Sequence, residues 1–515
     1  MSRFNLIDEP WIPLRTLDGK RVEWGLRDTL MRATEIAVIE DSSPLVVVSL
    51  HRFLLAVLYR ALEGPADIDQ AKAWFKSGIP GEQVDAYLER WRSRFWLFDE
   101  KYPFGQNPNV AKSEIEPWTK LTAEHNANSN KVLFDHVDTK SPGTRPPNGC
   151  ARWLLSTMNF SLSGGRGYFP SPSANSVMCI PVGSNLHETL CYNLIPQNRE
   201  ILKADIPLWE KGPATLPLES TKQSVAGLAN LYTWPARMIL LEEQESGDVA
   251  FMRFVAGYGF ESTSEYTDPM HPHEITKANG KQPMRFREDR GTWRDFDSLL
   301  PDAAGNAPLS IQHAIHLAGR KTRLLPKSVL TLGLRYTPPN ANVDFWRMER
   351  FVFPTALTAD RLIREDIRQL LDITEDTCES LRSSLWKFYR HLLIRSERKR
   401  EDDLKKEEKV AINKMVNAAG PLQHFWSLSE SAFHNMLQSY TQERAPEEIR
   451  WQWLKATHDA SLKAWDQHKA TISTGDAWAI RALVKAEDPV DRKLRNLNSE
   501  IKKYETHCKP QEETA

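Results

Sequence analysis

The feature that most constrains this fold is a change of texture near Pro354. Before it the chain is rich in Pro and Gly, with short apolar runs and many turn signals; after it proline is rare and helical spacing dominates. Prolines break helices and central strands, so the first part reads as short elements joined by long loops, and the second as packed helices. At 515 residues the chain is too long for one ordinary core. The expectation is an α+β protein: a large mixed α/β domain over 1–358, then a four-helix bundle over 359–515.

Within the first part, Leu45 to Leu62 reads LVVVSLHRFLLAVLYRAL, a nearly continuous apolar helix interrupted by His51, Arg52 and Arg60. Those interruptions mark a buried core helix rather than a membrane span. Arg237–Glu242 and Ala250–Val255 read as strands, while Glu124–Gly149 and Glu261–Thr292 read as loops. In the second part, Leu381, Leu385, Phe388 and Leu392 recur on one helical face. A second helix fits Leu422 to Tyr440, and a third begins near Pro446, a good first-turn residue. A fourth covers Asp476 to Lys485 and continues through Leu494, Leu497 and Ile501. Arg395 to Lys409 mixes both charge signs and reads as a solvated connector.

Lys plus Arg number 67 against 68 for Asp plus Glu, a formal net charge of -1. A protein that grips long nucleic acid alone is usually basic, so any such contact is short, local or shared with partners. The 17 tryptophans suit core and interface anchors. Five cysteines lie scattered without a Cys-x-x-Cys pair, which suits reduced thiols in a cytosol and predicts no structural zinc. Asp8 and Glu9 stand where a secretory signal would be apolar, so the expected location is cytoplasmic.

The opening segment, Asn5-Leu6-Ile7-Asp8-Glu9-Pro10-Trp11-Ile12-Pro13-Leu14, runs through Asp18-Gly19 into Lys20-Arg21-Val22-Glu23-Trp24. Two short apolar runs around Asp-Gly predict a hairpin, and Pro10 and Pro13 place its first strand at a sheet edge. The Leu-Ile-Asp, Trp-Ile-Pro and Gly-Lys elements resemble the opening of CasA, the large subunit of the type I-E CRISPR Cascade complex. Tyr102-Pro103-Phe104-Gly105-Gln106, Asn230-Leu231-Tyr232-Thr233-Trp234-Pro235-Ala236-Arg237 and Phe425-Trp426-Ser427 also match that family in order and spacing. The resemblance implies a non-catalytic DNA-recognition subunit that needs no cofactor and does not engage a membrane. It would act with CRISPR RNA, other Cascade subunits, target double-stranded DNA and a recruited helicase-nuclease.

Three clusters carry this reading. Ser163-Gly164-Gly165-Arg166-Gly167-Tyr168 is the clearest glycine cluster; alone it marks a turn, and no Gly-Lys-Ser/Thr follows to make a phosphate loop. The resemblance makes Gly164, Gly165 and Arg166 a loop that enters the minor groove beside the protospacer-adjacent motif. Pro338-Pro339-Asn340-Ala341-Asn342 is a stiff turn by composition. By resemblance Asn340 takes the place of a wedge, commonly Gln, that parts the duplex. Phe134, Asp135 and His136 lie in a polar stretch where an aromatic usually tethers a loop to the core; by resemblance they meet the guide-RNA end of the complex. Phe260 stands where relatives carry a lysine finger, leaving Arg253, Lys277 or Lys281 to replace it.

Two rival readings compete. A balanced charge and many aromatics suit a structural scaffold in a multi-subunit assembly. His271-Pro272-His273-Glu274 imitates a metal-hydrolase site but lacks a third ligand at a recognisable spacing.

Overall fold

The computed structural model describes residues 2–127, 130–131, 137–164, 167–212, 221–261, 267–276, 280–301, 305–319, 321–338, 342–354, 361–395, 401–442, 444–473 and 475–508. The chain separates into two compact units, Met1–Phe351 and Val352–Ala515. The first is mixed α/β; the regular elements of the second, from Arg361 onward, are all helices among its described residues.

The N-terminal unit opens with the expected hairpin. Ile12–Thr16 pairs antiparallel with Arg21–Trp24, Leu14 facing Val22. Only Gly19 takes a positive φ (+85°), and Thr16 N closes the loop on Lys20 O at 3.0 Å. The turn is therefore wider than a two-residue Asp-Gly hairpin. Ile12–Thr16 is also not an edge strand, because Ile36–Ile39 pairs along its other side. The prolines permit this by position: that second pairing begins at Leu14, and Pro13 contributes only its carbonyl, accepting from Glu40 N at 3.0 Å.

Pro44–Leu62 is the central helix. Ser43 caps it by accepting from Val46 N (3.2 Å), and Pro44 fills the first turn. It is long and apolar enough to cross a membrane by composition, yet it is almost wholly buried among its own domain's side chains. It packs against the helices Pro147–Phe160 and Leu228–Tyr232. Its one buried cation, Arg52, donates to Asp268 at 2.9 Å and lies 4.4 Å over the Tyr232 ring.

Two small antiparallel sheets frame the region of interest. In one, Val249–Ala256 lies between Arg237–Glu243 and Ile115–Pro117. In the other, Ser328–Thr337 lies between Met178–Val182 and Asn342–Val352. The stretches expected to be loops carry short pairings of their own, Asn126–Ala127 with Asn130–Lys131 and His273–Thr276 with Gly280–Pro283. The Tyr102–Gln106 motif serves packing: Phe104 stacks on Phe95 (5.4 Å), and Gln106 bridges Leu97 O (2.6 Å) and Leu241 N (2.8 Å).

The C-terminal unit contains six helices among its described residues: Arg361–Leu393, Lys406–Ala418, Gly420–Thr441, Pro446–Ala470, Ala477–Ala486 and Asp488–Cys508. Four are long and two short, which differs in two places from the expected four. The charged connector becomes helical from Lys406, where Ile412 and Val416 find buried sites. The helix expected from Asp476 onward is broken at Glu487, because Pro489 fits a first helical turn and not an interior. Leu381, Leu385, Phe388, Phe425 and Trp465 form the core. Trp453 Nε1 donates to Leu370 O (2.9 Å) and the half-buried Trp478 Nε1 to His391 O (2.7 Å), whereas the Trp465 Nε1 is buried without a partner.

Candidate nucleic-acid interface

The glycine cluster leaves the C-terminal end of the Pro147–Phe160 helix. Ser161 turns the chain there: its Oγ donates to Thr157 O (2.6 Å) and its N–H donates to Ser171 Oγ (3.0 Å). Ser171 N returns a bond to Ser161 O at 2.8 Å, closing a narrow neck. Further out, Gly164 N reaches Tyr168 O at 3.4 Å, and the Tyr168 ring stacks on Phe254 with centroids 6.0 Å apart. Gly164 is half-buried. Gly165 and Arg166 lie outside the described residues.

The second element is the antiparallel pair Ser328–Thr337 and Asn342–Val352. At its outer end Thr337 Oγ1 donates to Asp344 (3.0 Å), and the Arg335 guanidinium lies 3.5 Å from the same carboxylate while donating to Phe286 O (2.8 Å). Asn340 lies outside the described residues.

These two elements meet at their bases. Ser163 Oγ donates to Tyr336 Oη at 3.3 Å. Asn175 grips the same tyrosine's backbone twice: its Nδ2 donates to Tyr336 O (3.2 Å), and its Oδ1 accepts from Tyr336 N (3.3 Å). Asn175 lies on the returning arm of the glycine segment, so both arms of that segment touch one residue of the neighbouring strand. The sequence gives no sign of Asn175, an ordinary polar residue in a Ser/Pro-rich stretch.

Phe134, Asp135 and His136 lie outside the described residues; the chain is described again from Val137, which packs against the main core. Of the three basic residues considered near Phe260, Arg253 is committed to Glu242 (2.6 Å) and Ser113 O, and Lys281 donates to Gly305 O (2.6 Å). Lys277 lies outside the described residues. A fourth appears instead: Lys222-Gln223 pairs in parallel with Gly259-Phe260. Lys222 is exposed, with its amine 5.6 Å over the ring of Phe169, the residue after Tyr168. No sequence signal marks it, since only strand pairing brings it beside Phe260.

His271 and Asp268 belong to the buried ion pair beneath the central helix, not to a metal site. Burial pulls His271 down to about 4, so it is neutral near pH 7, and its Nε2 lies 3.6 Å from Asp268 Oδ2. Burial pushes the Asp268 carboxyl up, but Arg52, His271 and the hydrogen bonds from Ser173 and Met270 N outweigh it and hold it below the usual range. Glu274 is paired with Arg287 at 2.9 Å. Among the described residues, no three His, Cys, Asp or Glu side chains are grouped to hold a metal.

The comparisons with known proteins agree over nearly the whole chain. A family model described as CRISPR-associated protein Cse1 matches residues 5–464. The CRISPR-associated protein CasA/Cse1 of Thermus thermophilus is 32% identical over 514 residues, covering 98% of this chain and 99% of that protein. The solved structure of Thermus thermophilus CasA (Cse1) superposes with a TM-score of 0.82 at 29% identity, over 96% of this chain and 100% of that one. Cse1 from Acidimicrobium ferrooxidans, at 22% identity, shares the fold with a TM-score of 0.77 over 97% of this chain and 99% of that one. The resemblance first read from the opening hairpin thus extends through both units: the chain belongs to the CRISPR-associated protein Cse1 family.

Proposed function

We propose that this chain is the large, non-catalytic subunit of an RNA-guided CRISPR surveillance complex of type I-E, and that it inspects duplex DNA for a protospacer-adjacent motif. Family membership supports the assignment to such a complex, and a structure titled CRISPR RNA-guided surveillance complex shares the fold with a TM-score of 0.71 at 18% identity, over 97% of this chain and 100% of that one. The observation that carries the DNA-reading part is the tie between Ser163, Asn175 and Tyr336. It gives the glycine loop and the Asn340 hairpin a common base, which two tips acting on adjacent base pairs require.

In this reading the backbone of Gly164 and Gly165 approaches the minor groove, where the donor and acceptor pattern is degenerate and tolerates several related motifs. Arg166 and Lys222 add cationic contacts at its edges. Asn340 enters beneath the motif and parts the base steps. It reaches one methylene less than Gln, so its supporting strands must hold it closer. Unstacking costs a few kcal/mol, offset by backbone contacts. CRISPR RNA held by the other Cascade subunits then reads the remaining sequence by pairing. Phe134, Asp135 and His136 face that RNA end. The C-terminal helices contact partners and the displaced strand, and a recruited helicase-nuclease performs cleavage.

The test uses the assembled complex and a labelled duplex carrying the motif. Gly165→Asp and Asn340→Ala should each weaken duplex binding by tenfold or more, as expected for about 1.4 kcal/mol or more of lost contact, while the complex assembles with unchanged stoichiometry. Unchanged duplex binding in both variants would favour the scaffold reading. Cleavage by the purified chain with divalent metal, lost in His271→Ala, would favour the hydrolase reading.

A further inference from the structure

The neck of the glycine segment is held by one side chain from another sheet. Arg237 begins the Arg237–Glu243 strand and is buried, 6% exposed. Its Nη2 donates to Leu162 O, and its Nη1 donates to Phe169 O and to Ala236 O, both at 2.7 Å. Leu162 and Phe169 bracket the glycine cluster, so a single guanidinium grips both arms. A planar fork can reach two diverging carbonyls at once, whereas an ammonium on a flexible stem is a point charge. The surroundings keep the fork in place. The Tyr168 and Phe254 rings lie 4.8 and 5.8 Å from the guanidinium carbon. Phe169 in turn sits against Gly259, where an added Cβ would fall 2.6 Å from its ring.

The electrostatics of this residue are unusual. Among the described residues no carboxylate lies within ion-pair distance of Arg237, and its Nε, also buried, has no hydrogen-bond partner. Along the central helix the buried Arg52 is neutralised by Asp268 at 2.9 Å and the half-buried Arg60 by Glu210 at 2.8 Å. Burial lowers the Arg237 pKa to about 10, so it remains cationic at neutral pH; among the described residues its compensation comes from carbonyls and ring faces. A buried charge without an ion-pair partner is a poor way to stabilise a fold, since a well-packed apolar side chain does as well or better.

We propose that Arg237 is a positioning residue for DNA reading: it sets the spacing of the two arms of the glycine loop and supplies, from beneath, a positive charge that only an arriving phosphate backbone neutralises. This rests on the duplex-reading function above and adds to it a residue outside the loop. In water such a charge would be screened, but with a low-dielectric floor its field is directed toward the surface.

The experiment compares the wild type with Arg237→Lys and Arg237→Met in the assembled complex. Hydrogen exchange is followed over residues 161–171, and binding to a labelled DNA duplex is measured over a salt series. In both variants the Ser161 and Ser171 amides should exchange roughly tenfold faster, as expected when the clamp's hydrogen bonds are lost. R237M should also weaken duplex binding and lower the slope of log K against log salt by up to about one. R237K should bind weakly yet keep the wild-type slope, because its charge remains. Should R237M fail to fold, R237K against wild type still decides the clamp. Wild-type exchange in R237K would remove the clamp; an equal loss of slope in R237K and R237M would remove the role of the charge. A wild-type complex that ignores duplex DNA would instead remove the functional reading beneath the proposal.

Discussion

Ser163 and Tyr336 are 173 positions apart, yet one hydroxyl pair joins them where two chemically distinct loops begin. A double-mutant cycle isolates this tie. Ser163→Ala and Tyr336→Phe should each reduce duplex affinity, and together by less than the sum, with a coupling of about 0.5–1.5 kcal/mol for one hydrogen bond. Additive losses would mean that the two loops act independently. Arg52 belongs to the same scale but to a different role. Arg52→Met leaves Asp268 as a buried charge without its cation and should cost about 3–5 kcal/mol. Thermal unfolding would read this, and adding Asp268→Asn should recover part of the loss, which simple loss of packing would not allow.

Among the elements, the opening hairpin tests turn chemistry most directly. Gly19 sits at φ +85° with open space around its Cα, so Gly19→Ala meets no neighbour and pays only for the left-handed backbone. The expected loss is about 1–2 kcal/mol, measured by thermal or urea unfolding. This element also shows what could be read from sequence. Asp18-Gly19 between apolar runs foretold the hairpin, because turn chemistry is local. The central position of Ile12–Thr16 was hidden, because it depends on pairing with Ile36–Ile39, which no local pattern encodes. The buried helix from Pro44 and the strands at Arg237 and Val249 were legible for the same local reason, since their apolar runs fit one period. The break at Glu487 is signalled in the sequence by Pro489 alone, because the apolar residues on either side keep helical spacing and mask it. For the interface, the glycine cluster was visible by composition. Asn175, Lys222 and Arg237 in its support were not: a lone polar residue gains meaning only from the carbonyl or ring it meets across the fold.

At the scale of the whole molecule, two units with separate cores predict two unfolding transitions. Leu385→Ala should lower only the one belonging to the C-terminal unit, by about 2–5 kcal/mol, as calorimetry can resolve. Acid should act unequally on them. Burial pulls His51, His271 and His313 of the first unit, and His468 of the second, from 6.5 to about 4. Each stays neutral when folded and takes up a proton when unfolded. Its contribution is therefore complete above about 6.5 and is lost as pH falls toward about 4. Asp268, held low, extends the loss to still lower pH, while Asp205 and Glu124, raised by burial, oppose it. With three such histidines against one, the first unit's transition should fall further between about pH 7 and pH 4.5. Equal shifts in the two transitions would contradict this.

The greasy helix at Pro44–Leu62 also sets a schedule for synthesis. One of its covering helices ends at Tyr232, roughly 170 residues later, which at ribosomal speed is on the order of 10–30 s of waiting with an oily segment uncovered. Nascent chains arrested before Tyr232 should therefore be strong clients for holdase chaperones, and chains arrested well beyond it should not.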